Sequence, residues 1–203
     1  MNDLNGVDVS RETLNRLQAF ADLTVKWTAR INLISKSTVH DVWTRHVVDS
    51  AQLYPLAPKF EKWVDVGSGG GFPGIVIAII AQEKNPDAEF TLIESDARKA
   101  TFLRTATREL GLAANIETAR AETVRPQKAD VMSARALASL ADLLPFAERH
   151  LSATGIGLFP KGRRYKNEIS AIAADSTYEF SEHPSITDPQ SRILKVKRIP
   201  RAA

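Results

Sequence analysis

At 203 residues and 43% hydrophobic content, the chain is long and apolar enough for one cored domain with additions. It contains no cysteine, which removes disulfides, thiolate chemistry and cysteine-based zinc sites together. No apolar run is long enough to span a bilayer and no signal-peptide pattern opens the chain, so a cytoplasmic soluble protein without a membrane partner is expected. The net charge is only +3, but from Lys161 onward nine Lys/Arg face five Asp/Glu, a local +4. A basic tail points to a nucleic-acid partner, and a solvated surface explains it equally well.

In chain order, residues 1–9 carry no pattern and are expected to be loose. Ser10 can cap a helix whose apolar positions Leu14, Leu17, Ala21 and Trp27 recur at helical spacing. After Asn32-Leu33-Ile34-Ser35, Thr38 can cap a second helix running to Tyr54 and closed by Pro55 and Pro58. Residues 1–60 therefore read as an N-terminal helical cap joined to an α/β core over 61–203. In that core, strands are predicted at Lys62–Val66, Glu89–Glu94, Asn115–Thr118, Ala129–Ser133 and Gly155–Phe159. Helices alternate with them at Pro73–Gln82, Ala97–Leu110, Leu137–His150 and Arg163–Ala174, with Pro145 predicting a kink or break in the third. Two last strands, Thr177–Glu182 and Arg192–Ile199, form a terminal antiparallel pair. The fold class is α/β, a Rossmann-like doubly wound mixed sheet.

The most informative stretch runs from Trp63 to Gly74: a strand with one acid, Asp65, then Gly67, Gly69, Gly70 and Gly71, then Phe72-Pro73-Gly74 and an apolar run to Ala81. Glycines serve where the backbone takes positive φ or must approach a ligand without a Cβ in the way, and the helix start offers free N–H groups. A mononucleotide P-loop is excluded because no Gly-Lys-Ser/Thr follows. A nucleophile elbow is excluded because Val66 stands where glycine would have to precede Ser68. Dinucleotide binding and S-adenosylmethionine binding remain. Asp65, inside the strand just before the first glycine, separates them, because Asp-x-Gly-x-Gly-x-Gly is similar to motif I of class I methyltransferases.

In an open α/β sheet, ligands sit beyond the carboxyl ends of the strands. That rule selects Glu94 after the second strand, Ala121 and Glu122 after the third, Arg135 after the fourth and Pro160-Lys161-Gly162 after the fifth. A carboxylate at Glu94 can accept both hydroxyls of a ribose, although Glu94-Ser95-Asp96 also reads as a helix cap. Ala121 and Glu122 suit an adenine ring. Lys161, Arg163 and Arg164 can track RNA phosphates, or form a solvated face. The four histidines show no metal-ligand spacing, so no metal is expected. His46 reads as a packing residue between cap and cleft.

Taken together, Asn32-Leu33, Arg45-His46-x-x-Asp49-Ser50, Val64 to Gly74, Glu94-Ser95 with Lys99 and Phe102-Leu103, Arg120-Ala121-Glu122, Ser133-Ala134-Arg135-Ala136 and Pro160-Lys161-Gly162 resemble the bacterial 16S rRNA guanine-N7 methyltransferases, the glucose-inhibited division protein B family. The resemblance covers about residues 14–200 and implies a class I S-adenosylmethionine-dependent methyltransferase fold. It implies cofactor contacts from Gly67, Phe72, Ala121, Glu122 and Arg135, and a monomer; Gly69 from the glycine loop and Glu94 from the strand-end rule join that set, and Lys161, Arg163 and Arg164 are RNA candidates by charge placement. The reaction it implies is methylation of guanine N7 in a decoding-region hairpin of 16S rRNA or the small subunit. N7 carries an in-plane lone pair and no proton, so no catalytic acid or base is called for; Arg135 can position the base or hold the cofactor. The other readings are an NAD-dependent oxidoreductase, which Asp65 and the terminal strands oppose, and a non-enzymatic RNA-binding module, which the intact glycine loop and Glu94 oppose.

Overall fold

The computed structural model describes residues 2–4, 6–172 and 177–198. Its centre is a seven-stranded sheet of β3 (Lys62–Val66), β4 (Glu89–Ile93), β5 (Ala114–Glu117), β6 (Ala129–Ser133), β7 (Leu151–Lys161), β8 (Tyr178–Pro184) and β9 (Arg192–Arg198), in the order β5-β4-β3-β6-β7-β9-β8. The first five are parallel, and β9 pairs antiparallel with both β7 and β8. The chain runs outward from β3 to β5 and then returns to β6, so the strand order reverses between β3 and β6. Strands β1 (Asn2–Asp3) and β2 (Asp8–Val9) form a separate antiparallel pair. The opening residues are thus ordered rather than loose, because Leu4, Val7 and Val9 are buried.

Each face of the large sheet has its own apolar layer. One contains Trp63, Phe90, Leu92, Val131 and Ile156 from the strands, packed under α1 (Arg11–Thr28), α3 (Gly74–Lys84) and α4 (Ala97–Leu110). The other contains Val64, Val66, Met132, Phe159 and Leu194 under α5 (Leu140–His150) and α6 (Tyr165–Ser170). α3 is buried from Gly74 through Ala81, which accounts for its apolar character on every side. α1 starts where expected: Ser10 Oγ accepts the Thr13 N–H at 3.1 Å. α4 is capped by Asp96 and closed by Gly111 at φ +63°.

Three expectations change. The single helix over 38–54 is replaced by a 3-10 turn (Lys36–Asp41), a π-helical turn (Trp43–Val48), a short α-helical turn, α2 (Asp49–Ala51), and a 3-10 turn (Tyr54–Leu56). Six β-branched residues from Thr38 to Val48 and local Ser/Thr hydrogen bonds, such as Ser50 Oγ to His46 O at 2.6 Å, oppose a regular α-helix there. α5 begins at Leu140 behind the Ser139 cap and is not broken at Pro145. β7 extends beyond the predicted Gly155–Phe159 at both ends, because Leu151 pairs with Ala129 of β6 and Pro160 and Lys161 pair with β9. The predicted strand end Ile199 and helix end Ala174 lie outside the described residues. No helix among the described residues is long and apolar enough to cross a membrane.

The N-terminal segment shares the core of the sheet. Phe20 of α1 is fully buried, 5.0 Å from the Phe72 ring centroid and 6.4 Å from that of Phe102. We expect Phe20→Ala to lower the unfolding free energy by about 3–5 kcal/mol, read by urea denaturation. A loss below about 1 kcal/mol would contradict a shared core.

Candidate functional site

The crevice of this sheet opens where the strand order reverses, beyond the C-terminal ends of β3 and β6. The chain leaves β3 sharply: the N–H groups of Gly67 and Ser68 both donate to Ile93 O, at 2.9 and 3.1 Å. Gly67 sits at φ +67°, and a Cβ on it would meet Leu137 Cδ1 at 2.6 Å. A side chain at this position would therefore be strained and would also fill the crevice.

Two polar anchors hold the loop. Glu94 is buried, with Oε2 accepting the Gly69 N–H at 2.8 Å and Oε1 accepting the Asp96 N–H at 2.7 Å. The α4 cap is Asp96, not Glu94. An ionised carboxylate offers about four acceptor positions, so two remain at Glu94 for incoming hydroxyls. The second anchor is Asp65, 1% exposed. Its Oδ1 accepts the Ser133 hydroxyl of β6 at 2.6 Å, and Ser133 Oγ accepts the Trp63 indole N–H at 2.9 Å. Oδ2 has no hydrogen-bond partner of good geometry and faces Gly74, the first residue of α3, where a Cβ would come within 2.7 Å. Burial pushes the Asp65 carboxyl up to about 6, against the opposing pull of Ser133, Ser68 and the Gly74 N–H.

Arg135, just after β6, is the best-connected charge in the cleft. Its Nη1 donates to Asp49 Oδ2 at 3.0 Å and to Arg45 O at 3.2 Å, and its Nη2 lies 2.7 Å from His46 Nδ1. The guanidinium stands 5.4 Å from the Phe72 ring centroid. Burial, then Arg135 and Arg45, push the His46 imidazole down to about 4. His46 is thus neutral, with Nδ1 accepting from Arg135 and Nε2–H donating to Thr38 Oγ1 at 2.8 Å. Thr38 passes its own proton to Ser35 O at 2.9 Å. Asp49 Oδ1 accepts from Thr187 at 2.6 Å and from Gln52 at 2.9 Å, fastening the turn between β8 and β9 to the N-terminal segment.

Gly67, Gly69, Phe72 and Arg135 line one cleft of about 440 Å³, together with His46, Asp49 and Asp188. Ala121 and Glu122 line a smaller hollow with Ser95 and Leu137, joined to the first at Gly67. The Ala121 loop is pinned by the fully buried His150, whose Nε2 lies 3.0 Å from Ala121 O. Lys161 does not join these residues. Its side chain is 8% exposed, and Nζ lies 2.7 Å from both Glu168 Oε2 and Ala138 O. In this conformation its ammonium is engaged inside the protein, whereas Arg163 and Arg164 are exposed. Sequence reading gave His46 only a packing role, and Asp49 none of its own beyond the motif it shares with His46. Their spacing of three, on one face of a helical turn, was the signal available, and π-helical turns recur at functional sites.

With this geometry in place, the comparison with known proteins is decisive. Residues 13–193 match the family described as rRNA small subunit methyltransferase G. The chain belongs to this family. A relative from Ruegeria pomeroyi, named ribosomal RNA small subunit methyltransferase G, is 49% identical over 199 residues, 98% of each chain. Among solved structures, a putative O-methyltransferase from Klebsiella pneumoniae superposes with a TM-score of 0.64 at 12% identity, covering 96% of this chain and 93% of that one. The M. jannaschii protein TYW2, solved in complex with AdoMet, gives 0.56 at 14% identity, covering 85% and 80%. At these identities the two structures establish the fold, that of class I S-adenosylmethionine-dependent methyltransferases. Family membership makes the chain an rRNA methyltransferase.

The buried carboxylate at the centre generates a pH prediction. Asp65 ordinarily titrates at 3.8 and is held at about 6 in the fold. The folded state therefore keeps its proton to higher pH than the unfolded chain does. The associated stability is fully present below pH 4 and is lost as pH rises through about 6. We expect wild type, measured against Asp65→Asn by denaturant titration, to lose about 3 kcal/mol of relative stability between pH 4 and pH 7. A difference that stays flat with pH would contradict this electrostatic picture.

Proposed function

We propose that this protein methylates guanine N7 at one position in the decoding-region hairpin of 16S rRNA, acting as a cytoplasmic monomer with S-adenosylmethionine as cofactor. The observation that carries the choice of acceptor is the hydrogen-bond state of the cleft. Every carboxylate or imidazole that lines it is engaged within the protein: His46 through both nitrogens, Asp49 through both oxygens, and Asp188 through the Gln190 N–H and the Ser191 hydroxyl. A ribose hydroxyl or a protonated ring nitrogen needs a base before it can act as a nucleophile. Guanine N7 needs none.

The residues present fit the cofactor. Bare glycine backbone lines the cleft at Gly67, Gly69 and Gly70, and the buried Glu94 keeps lone pairs that no protein donor uses, as a polar ligand with hydroxyls requires. Gly67 and Gly69 would carry the ligand against bare backbone, Glu94 would take the ribose with its two remaining lone pairs, and Ala121 and Glu122 would border the adenine. When bound, S-adenosylmethionine supplies an electrophilic sulfonium methyl that an in-plane lone pair takes with no proton transfer. The protein's part is then alignment and exclusion of water. Arg135 has five N–H groups, three of them engaged, which leaves two for a carboxylate or a guanine O6. The neutral His46 holds that guanidinium in place without adding a competing charge. Arg163 and Arg164, exposed at the turn before α6, would meet phosphates, with residues 1–60 forming a helical cap over the other side.

The test is methylation of small-subunit RNA by the purified protein, followed by nuclease digestion and nucleoside mass spectrometry. The expected product is 7-methylguanosine at a single site. A 2′-O-methyl, N1-methyl or N2-methyl product would overturn the reading.

A further inference from the structure

Behind Arg135 lies a second chamber of about 300 Å³. It shares Asp49, Arg135, Ala136 and Ser191 with the glycine-loop cleft, so the two are continuous past the guanidinium. Its floor is formed by the segment after β6 and the end of β7, where Pro160, Lys161 and Gly162 stand. Lys161 and Glu168 form an ion pair in its wall. Lys161 Nζ is 2.7 Å from Glu168 Oε2 and donates to Ala138 O at 2.7 Å, and Glu168 Oε2 also accepts the Leu140 N–H at 2.7 Å. An ammonium has three N–H groups, so one is left over. Glu168 Oε1 has no protein donor among the described residues. The ammonium therefore has one unused donor and the carboxylate one unused oxygen, with Lys161 8% and Glu168 25% exposed, so both can meet a ligand in the chamber.

We propose that this chamber seats the acceptor guanine and that the Lys161–Glu168 pair reads its lactam edge. Lys161 Nζ donates to O6 and Glu168 Oε1 accepts from N1–H. This rests on the guanine-N7 reading and extends it by naming how the base is chosen. Adenine presents the reverse pattern, an amino donor toward the ammonium and a ring-nitrogen acceptor toward the carboxylate, so both contacts turn repulsive. With the lactam edge in the chamber, N7 lies on the other side of O6, toward Arg135 and the glycine loop. No donor is required at N7, and one there would compete for the lone pair that must react. Lys161 thus acts on the base rather than on phosphates.

The experiment is single-turnover methylation of small-subunit RNA carrying guanosine, inosine or 2-aminopurine at the mapped target position. All three keep N7. Inosine also keeps O6 and N1–H, and 2-aminopurine lacks both. Wild type is expected to act on inosine within about threefold of guanosine and on 2-aminopurine about ten- to a hundredfold more slowly. Glu168→Gln is expected to slow guanosine by about ten- to a hundredfold and to bring the guanosine to 2-aminopurine ratio toward one. Its S-adenosylhomocysteine affinity should stay at the wild-type value. That narrowing would not follow if the pair only fastened Ala138 and Leu140. Equal wild-type rates on guanosine and 2-aminopurine, or a Glu168→Gln loss that falls equally on both, would overturn the proposal and leave N7 methylation standing. Absence of 7-methylguanosine from the guanosine substrate would overturn both.

Discussion

The site depends on one buried carboxylate. Asp65 is held between the two strands that flank the reversal of strand order, through Ser133 on β6, and faces the first residue of α3. Burying an ion is unfavourable, and its pKa rises accordingly. What offsets this is local: two serine hydroxyls and the positive end of α3. The same arrangement fixes the path of the loop. Gly74 must lack a side chain so that α3 can start against Asp65, and Gly71 must lack one because Ile75 and Phe20 stand within 2.9 Å of where its Cβ would be. Phe72 is then delivered under Arg135 and beside His46, with ring centroids 5.1 Å apart.

Arg135 gathers three distant parts of the chain at that point. The N-terminal turns supply Arg45 O, His46 and Asp49. The end of β6 supplies the arginine itself. The turn between β8 and β9 reaches it through Thr187 and Asp49. Burial lowers the Arg135 pKa, and Asp49 opposes that shift. A neutral histidine is the fitting third partner, because it accepts a hydrogen bond and leaves the charge balance unchanged. A protonated one would face a cation at hydrogen-bond distance, consistent with the depressed pKa of His46. Of the groups lining the glycine-loop cleft, His46, Asp49 and Asp188 are all held by protein partners, which suits alignment of a nucleophile that carries no proton.

The parts legible in the sequence were those with local causes. Strand and helix positions followed apolar periodicity, the Ser10 and Asp96 caps followed side-chain chemistry, and Gly67 followed the need for positive φ. The strand-end rule alone selected Glu94 and Arg135. Tertiary partners were not legible. Nothing in the run Lys161 to Glu168 shows that the lysine turns inward to an acid seven residues later, because α6 must first form and pack on α5. Nor does the stretch from Thr38 to Val48 announce a π-helical turn. That shape is supported by His46, which bonds Thr38 eight residues before it and Arg135 89 residues after it.

The central claim is that the crevice between β3 and β6, anchored by Glu94, holds S-adenosylmethionine. Calorimetric titration of S-adenosylhomocysteine into wild type and Glu94→Ala tests it most directly. The account predicts that wild type binds it and does not bind NAD, and that Glu94→Ala binds it weaker by about 1.5–3 kcal/mol, the range for hydrogen bonds to a charged group. An unchanged affinity in Glu94→Ala, or binding of NAD in place of S-adenosylhomocysteine, would contradict it.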